Sequence, residues 1–190
     1  MKTLWIEKNF PYDGTQLRSL YAYLDHGLLG DSTVAWEGAC RIDFAHMVDG
    51  EDLLQKAEIR GGGMLHFIIE IFDRDLFAGV CVQRLMASLA KDLLQEHGAG
   101  QPWARELRRD GDDIYWGGKK LSISIATRSP VSTLVHFAMN VVNAGTPVAT
   151  CALRDDFGLD PKPFAAELLQ RLSAEYDSIF TATRKVRPVP

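Results

Sequence analysis

The chain has 190 residues, 46% hydrophobic and 24% charged, which is the make-up of a soluble globular unit able to bury a core, and one domain is expected. Its formal charge of −4 gives no global attraction to nucleic acid or anionic lipid, so any phosphate must be met by a local site and nucleic acid is not the expected partner. No apolar stretch approaches the ~20 residues that span a bilayer, and Met1-Lys2-Thr3-Leu4-Trp5 lacks the long apolar region of a signal peptide, so a cytoplasmic location with no membrane partner is expected.

In chain order, Leu17, Leu20, Tyr21 and Leu24 have helical spacing, with a cap at Asp13 or Thr15 and a stop at Gly27, which predicts a first helix near 15–26. Ser32–Trp36 and Ala39–Ile42 are β-type runs separated by Glu37-Gly38 and fit a short hairpin. Asp49 caps a short helix through Leu53 and Leu54. Arg60-Gly61-Gly62-Gly63 reads as a turn before a central strand over 64–72, where Ile68, Ile69 and Ile71 are too β-branched for a helix. Asp73 or Asp75 then caps the longest helix, whose apolar face carries Leu76, Val80, Val82, Leu85, Leu89, Leu93 and Leu94, with Gly98 after its last turn. Strands follow at about 105–109, 112–117, 119–127 and 133–142, and Asp160-Pro161 opens a final helix carrying Phe164, Leu168, Leu172 and Tyr176. Strands in runs with helices between them predict an α+β fold, a mixed and largely antiparallel sheet backed by two or three helices.

The most informative stretch is Asp112-Asp113-Ile114-Tyr115-Trp116-Gly117-Gly118-Lys119-Lys120, continuing into Leu121-Ser122-Ile123-Ser124-Ile125. It reads as a strand, a Gly-Gly turn and a second strand. Alternation puts Leu121, Ile123 and Ile125 on a buried face and Ser122 and Ser124 on a polar one, with the Lys120 stem on the polar side. A lysine fixed there can meet a carboxylate or phosphate as a point charge. Spacing alone also describes an ordinary hairpin with two solvated lysines. Cys40, Cys81 and Cys151 are odd in number and widely spaced, with no CxxC pair, which points to free thiols.

This stretch resembles the lysine segment of lipoate-protein ligases and lipoyl (octanoyl) transferases, with Lys120 at the family's catalytic lysine. His136-Phe137-Ala138-Met139-Asn140-Val141 is similar to the family's His-Gly-x-x-x-Asn-Val strand, and Arg60–His66 is similar to its glycine-rich segment leading to a histidine. Across its whole length the chain also resembles an uncharacterised archaeal and bacterial family whose fold is similar to the biotin and lipoate ligases, a class II synthetase-like catalytic fold.

The resemblance implies an acyl-activating or acyl-transferring enzyme acting on a small carboxylic acid, its adenylate or an acyl-carrier thioester, with a possible acceptor protein. Lys120 would then stabilise the acyl oxyanion or phosphate, while Arg60, Gly61, Gly62 and Gly63 contact the acyl or phosphate group. Ser122, His66 and His136 would contact the substrate, and for both histidines a structural role at the sheet edge is the other reading. Asp112 and Asp113 would hold Mg²⁺ with ATP, or else be solvated turn residues. In the transferase form a cysteine follows the His-Gly strand in a Pro-Cys-Gly segment. Here Pro147-Val148-Ala149-Thr150-Cys151-Ala152 occupies that region, so Cys151 is the candidate nucleophile, a buried apolar cysteine being the alternative.

Two departures point to a smaller acid or to a catalytically inactive ligand-binding module on the same fold. Ile123 stands where the family is smallest, and Phe137 replaces the glycine after the histidine, where its ring would shorten an acyl tunnel.

Overall fold

The computed structural model describes residues 1–189. The elements are β1 (Lys2–Trp5), α1 (Tyr21–His26), β2 (Ser32–Ile42), α2 (Gly50–Gln55), β3 (Ile59–Phe72), α3 (Leu76–His97), α4 (Pro102–Glu106), β4 (Arg108–Asp110), β5 (Asp113–Trp116), β6 (Lys119–Lys120), β7 (Ser122–Arg128), β8 (Ser132–Asn140) and α5 (Pro161–Thr183). The main sheet has the order β1-β2-β3-β8-β7, and β4-β5-β6 form a small second sheet. Only the β1–β2 pair is parallel. The architecture is α+β, a mixed, largely antiparallel sheet backed by helices.

Strand alternation divides the main sheet into two faces. Leu65, Phe67, Ile69 and Ile71 of β3 and Val135, Phe137 and Met139 of β8 form one core with Met86, Ala90 and Leu93 of α3 and Phe164, Leu168 and Leu172 of α5. The residues between them face the other way. Met64 and Ile68 join Val34, Trp36, Tyr12 and Tyr21 in a second, smaller cluster.

Several elements differ from their sequence-based expectation, each for a local reason. The first helix is confined to six residues because Leu20 sits in the left-handed region at φ 63°. Its N–H donates to the buried Glu70 carboxylate at 2.8 Å, and Glu70 also accepts from Ser132 Oγ at 2.6 Å. Residues 32–42 form one strand instead of a hairpin. Gly38 does not turn there; a Cβ on it would lie 1.8 Å from the Phe10 carbonyl oxygen, so it allows the N-terminal segment to cross over β2. The crossing is fixed by Tyr12 N–H donating to Ala39 O at 2.8 Å and Arg41 N–H donating to Tyr12 O at 2.9 Å, beside a register slip between Gly38 and Cys40.

The Arg60–Gly63 segment is not a turn but part of β3, which begins at Ile59. Residues 102–106 are a short helix opened by Pro102, where the sequence suggested the start of a strand. The expected strand over 119–127 divides at Leu121, so β6 belongs to the small sheet and β7 to the main one. Both Asp75 and Asp160 cap their helices by accepting backbone N–H bonds, and Asp49 does the same for α2.

Candidate functional site

A concavity of about 470 Å³ opens on the face of the main sheet away from α3 and α5. Three parts of the chain meet there. Met64, Ile123, Ile125, His136 and Asn140 come from the sheet, with Tyr12 beside them; a second border runs from Ile42 through α2 to Arg60; the third joins Asp112, Asp113 and Lys120 to the 146–150 loop.

Lys120 is positioned by the hairpin and by the junction of the two sheets. Gly117 and Gly118 have φ of 56° and 79°, the pair of positive values that a two-residue hairpin turn of matching twist requires. Lys119 and Lys120 therefore project to opposite sides. Lys119 is exposed, with its ammonium over the Trp116 ring, while Lys120 lines the cleft and places Nζ 2.7 Å from Asp113 Oδ2. The Lys120 backbone is held on both sides: its N–H donates to Ala149 O at 3.1 Å, and its carbonyl accepts from Cys151 N–H at 3.2 Å and Asn140 Nδ2 at 3.1 Å. Asn140 also donates to Cys151 O at 3.3 Å, so one side chain ties the lysine to the neighbouring loop. Asn140 was legible in the sequence as the end of the His136 strand motif, yet its bridging position depends on a contact twenty residues away.

The histidines form a buried chain. His136 Nε2 lies 3.1 Å from His66 Nδ1, and His66 Nε2 lies 3.2 Å from the Gly38 carbonyl oxygen. A carbonyl only accepts, so His66 carries its proton on Nε2 and accepts at Nδ1 from His136 Nε2–H. Burial holds His66 down at about 4, and it pushes His136 well below its ordinary value, with His66 acting in the same direction. Both rings are therefore neutral at physiological pH. The Tyr12 ring stacks on His136 at 3.8 Å between centroids, held there by the crossing at Gly38. His136 lines the cleft; His66 lies behind it and reaches the site only through its partner.

Other expected contacts fall elsewhere. Ser122 is fully buried on the opposite face, where its Oγ accepts from Ile114 N–H at 2.9 Å, and Ile123 and Ile125 face the cleft in its place. The break at Leu121 accounts for this reversal, since it changes the strand's facing just past Lys120. Arg60 lines the cleft and pairs with Glu58 at 2.9 Å. Gly61, Gly62 and Gly63 do not line it. They make room for protein instead: a Cβ on Gly62 would meet Ala144 O at 2.6 Å, and one on Gly61 would meet the Met64 sulfur at 2.9 Å.

Phe137 points into the helix-side core against Phe67, so its ring does not narrow the cleft. Cys151 is fully buried outside the cleft lining, with Sγ 3.6 Å from Lys119 O. Burial, with Asp156 acting in the same sense, pushes its thiol up to about 11. That is the opposite of what a thiolate nucleophile needs.

Asp112 and Asp113 line the cleft but are committed to protein partners, Asp112 to Gln83 Nε2 at 2.9 Å and Asp113 to Lys120. Among the described residues no group of three or more His, Cys, Asp or Glu could hold a metal ion, so the expected magnesium site is not built by the protein alone. Charge in the cleft also differs from what a nucleotide triphosphate needs. Asp49, Glu51, Asp52, Glu58, Asp112 and Asp113 line it against only Lys120 and Arg60 as fixed cations.

The family described as "Domain of unknown function (DUF366)" matches residues 1–187. The chain belongs to that family. It is 28% identical, over 100% of its own length and 86% of the relative, to the uncharacterized protein MJ0805 of Methanocaldococcus jannaschii. A solved protein of unknown function from Pyrococcus horikoshi superposes with a TM-score of 0.91 at 38% identity, covering 100% of this chain and 99% of that one. The fold is also that of biotin protein ligases. The Aquifex aeolicus ligase solved with biotin and ATP gives a TM-score of 0.57 at 16% identity, with 91% of this chain and 69% of that chain covered. The Leishmania major ligase with biotinyl-5-AMP gives 0.54 at 11% identity, with 90% and 72% covered. No helix among the described residues is long and apolar enough to cross a membrane.

Proposed function

We propose that this DUF366 protein binds a small carboxylic acid, or an activated derivative of one, in the cleft beside Lys120, and that it works in acyl activation or acyl transfer. The observation that carries this reading is the Lys120 ammonium. It is only 32% exposed, lines the cleft, and sits on a backbone fixed by hydrogen bonds on both sides. A preorganised cation in a partly desolvated cleft stabilises a carboxylate and, more strongly, the oxyanion that develops when an acyl carbon is attacked. Asp113 orients the ammonium through one of its N–H groups and leaves two for a ligand. The shared fold with ligases solved with biotin, ATP or biotinyl-5-AMP supports an acid-binding role.

Carboxylates outnumber fixed cations in the cleft and no group of three or more metal ligands is built among the described residues, so a magnesium nucleotide would have to bring its ion on its own phosphates, with Asp112 or Asp113 as no more than a partial ligand. The buried Cys151 gives no covalent intermediate, so an acyl group would pass directly from its carrier to an acceptor.

Incubation with acyl-carrier thioesters and amine acceptors, run beside pyrophosphate exchange with a panel of small acids, tests the reading. Lys120→Gln should lower whichever activity is present by about 100-fold or more while leaving the fold intact. Equal activity in the variant would remove Lys120 from the reaction. A second reading, ligand binding without turnover, is favoured by the acid-rich cleft and the buried thiol. Thermal stabilisation by a carboxylic acid with no product formed would support it.

A further inference from the structure

We infer that the ligand of this cleft also carries a positively charged N–H group, making it a zwitterion of the amino-acid type rather than a plain fatty or aromatic acid. The inference deepens the acid-binding reading and rests on it for the placement of the carboxylate at Lys120.

Two independent features of the cleft call for such a group. The first is unbalanced charge inside a concave site. Of its carboxylates, Glu58 is paired with Arg60, Asp113 is paired with Lys120, and Asp49 accepts the first backbone N–H groups of α2. The rest form no ion pair among the described residues. Asp112 accepts only from the neutral Gln83 amide, Glu51 only from the neutral Gln55 amide, and Asp52 has no side-chain hydrogen bond or ion pair among the described residues. Burial raises the carboxyls of Asp52 and Asp112, and the nearby cations, Lys120 for Asp52 and Arg84 with Lys120 for Asp112, pull them only part of the way back. Half-buried carboxylates without counter-charge are an electrostatic cost that an ammonium or guanidinium would offset.

The second feature is the free nitrogen of His136. This ring is 2% exposed and lines the cleft, and its Nε2–H is spent on His66. The tautomer chain that begins at the Gly38 carbonyl leaves Nδ1 of His136 as a lone-pair acceptor, and Nδ1 has no partner among the described residues. An acceptor held at the floor of a cleft selects a ligand that donates. A plain carboxylate has no donor to offer; an ammonium, amidinium or guanidinium does. A divalent cation would meet the charge but not this geometry, since the described residues place no three His, Cys, Asp or Glu together as metal ligands.

The test is a matched ligand series measured by calorimetry and thermal shift on the full chain: hexanoate, norleucine, ω-aminohexanoate, lysine and hexylamine, with magnesium chloride as a separate arm. At least one amine-bearing acid should bind about ten-fold tighter than hexanoate, the difference expected of one partly buried ion pair. Asp52→Asn should erase that preference without weakening hexanoate binding, and Asp112→Asn serves the same purpose should the first variant fail to fold. If hexanoate binds as tightly as every amino acid and neither variant changes the ratio, the cationic group is refuted while the acid-binding reading stands. If hexylamine matches the amino acids, the cationic group stands and the acid contact at Lys120 falls. Magnesium alone competing with the amines would overturn the inference in favour of a metal, and binding of none of these compounds would overturn both.

Discussion

On the helix side of the main sheet, Phe67, Ile69, Val135, Phe137 and Met139 pack against α3 and α5 with no polar side chain needed to hold them. On the cleft side the same two strands present His66, Glu70, His136 and Asn140, all nearly inaccessible to water and almost all hydrogen-bonded to something specific. One face is stabilised by volume, which tolerates exchange among apolar residues of similar size. The other depends on the identity and direction of single donors and acceptors. That difference marks the cleft face as the candidate site, because such a polar chain is costly to build in a core.

The helix-side face answers to the loss of one of its rings. Phe137→Ala should lower stability by about 3–5 kcal/mol, measured as a shift in urea midpoint, because it leaves a cavity between β8 and the helices. A loss under about 1 kcal/mol would mean that this face is loosely packed and that the contrast is wrong.

The polar face answers to acid. His66 is depressed from 6.5 to about 4, so the unfolded chain takes up its proton first as pH falls. The stability His66 contributes is complete above 6.5 and is lost as pH falls through about 4, a loss of roughly 3 kcal/mol at 1.36 kcal/mol per unit, with His136 adding in the same direction. Urea midpoints measured across that range should fall steeply, and the double variant His66→Gln, His136→Gln should flatten the profile. An unchanged slope would show that the pair does not stay neutral when folded.

The smallest effect tests the acid-rich border. Burial, its leading cause, raises the Asp112 carboxyl above 3.8, so its contribution favours the fold below that pH and is lost as pH rises through the raised value. Asp112→Asn keeps an acceptor for Gln83 and removes the charge. At neutral pH it should stabilise the fold by less than about 1 kcal/mol once solvent screening is allowed for, read as a small rise in melting temperature. A destabilised variant would mean that Arg84 and Lys120 already offset the cost of burying the carboxylate.

Much of the fold was legible because its signals are local. Asp75 and Asp160 cap helices where the sequence places them, and Phe164, Leu168, Leu172 and Tyr176 are buried at helical spacing. Two of the errors arose where a glycine serves a distant segment. Gly38 and Gly62 read as turns, yet each makes room for a carbonyl from far along the chain, Phe10 in one case and Ala144 in the other.

The site divides in the same way. Lys120 and His136 reach the cleft because hairpin and strand patterns fix their placement, and Arg60 reaches it from β3 and not from the expected turn. Ser122 turned to the other face because the strand break at Leu121 leaves no mark in the hydrophobic pattern, and Cys151 proved inaccessible because burial depends on what covers it. The acidic border near α2 went unnoticed as a group, since its carboxylates meet Asp112 and Asp113 only through the tertiary fold.

Gly38 is the point at which the cleft's floor and its roof are governed by one residue. Its missing side chain admits the strand-crossing segment that lays Tyr12 over His136, while its carbonyl fixes which nitrogen of His66 is protonated. Any larger residue there would unseat the aromatic lid and release the imidazole pair together. The lone pair offered to a ligand is thus set by a main-chain atom that never touches it, out of reach of drift at the side chains that line the cleft.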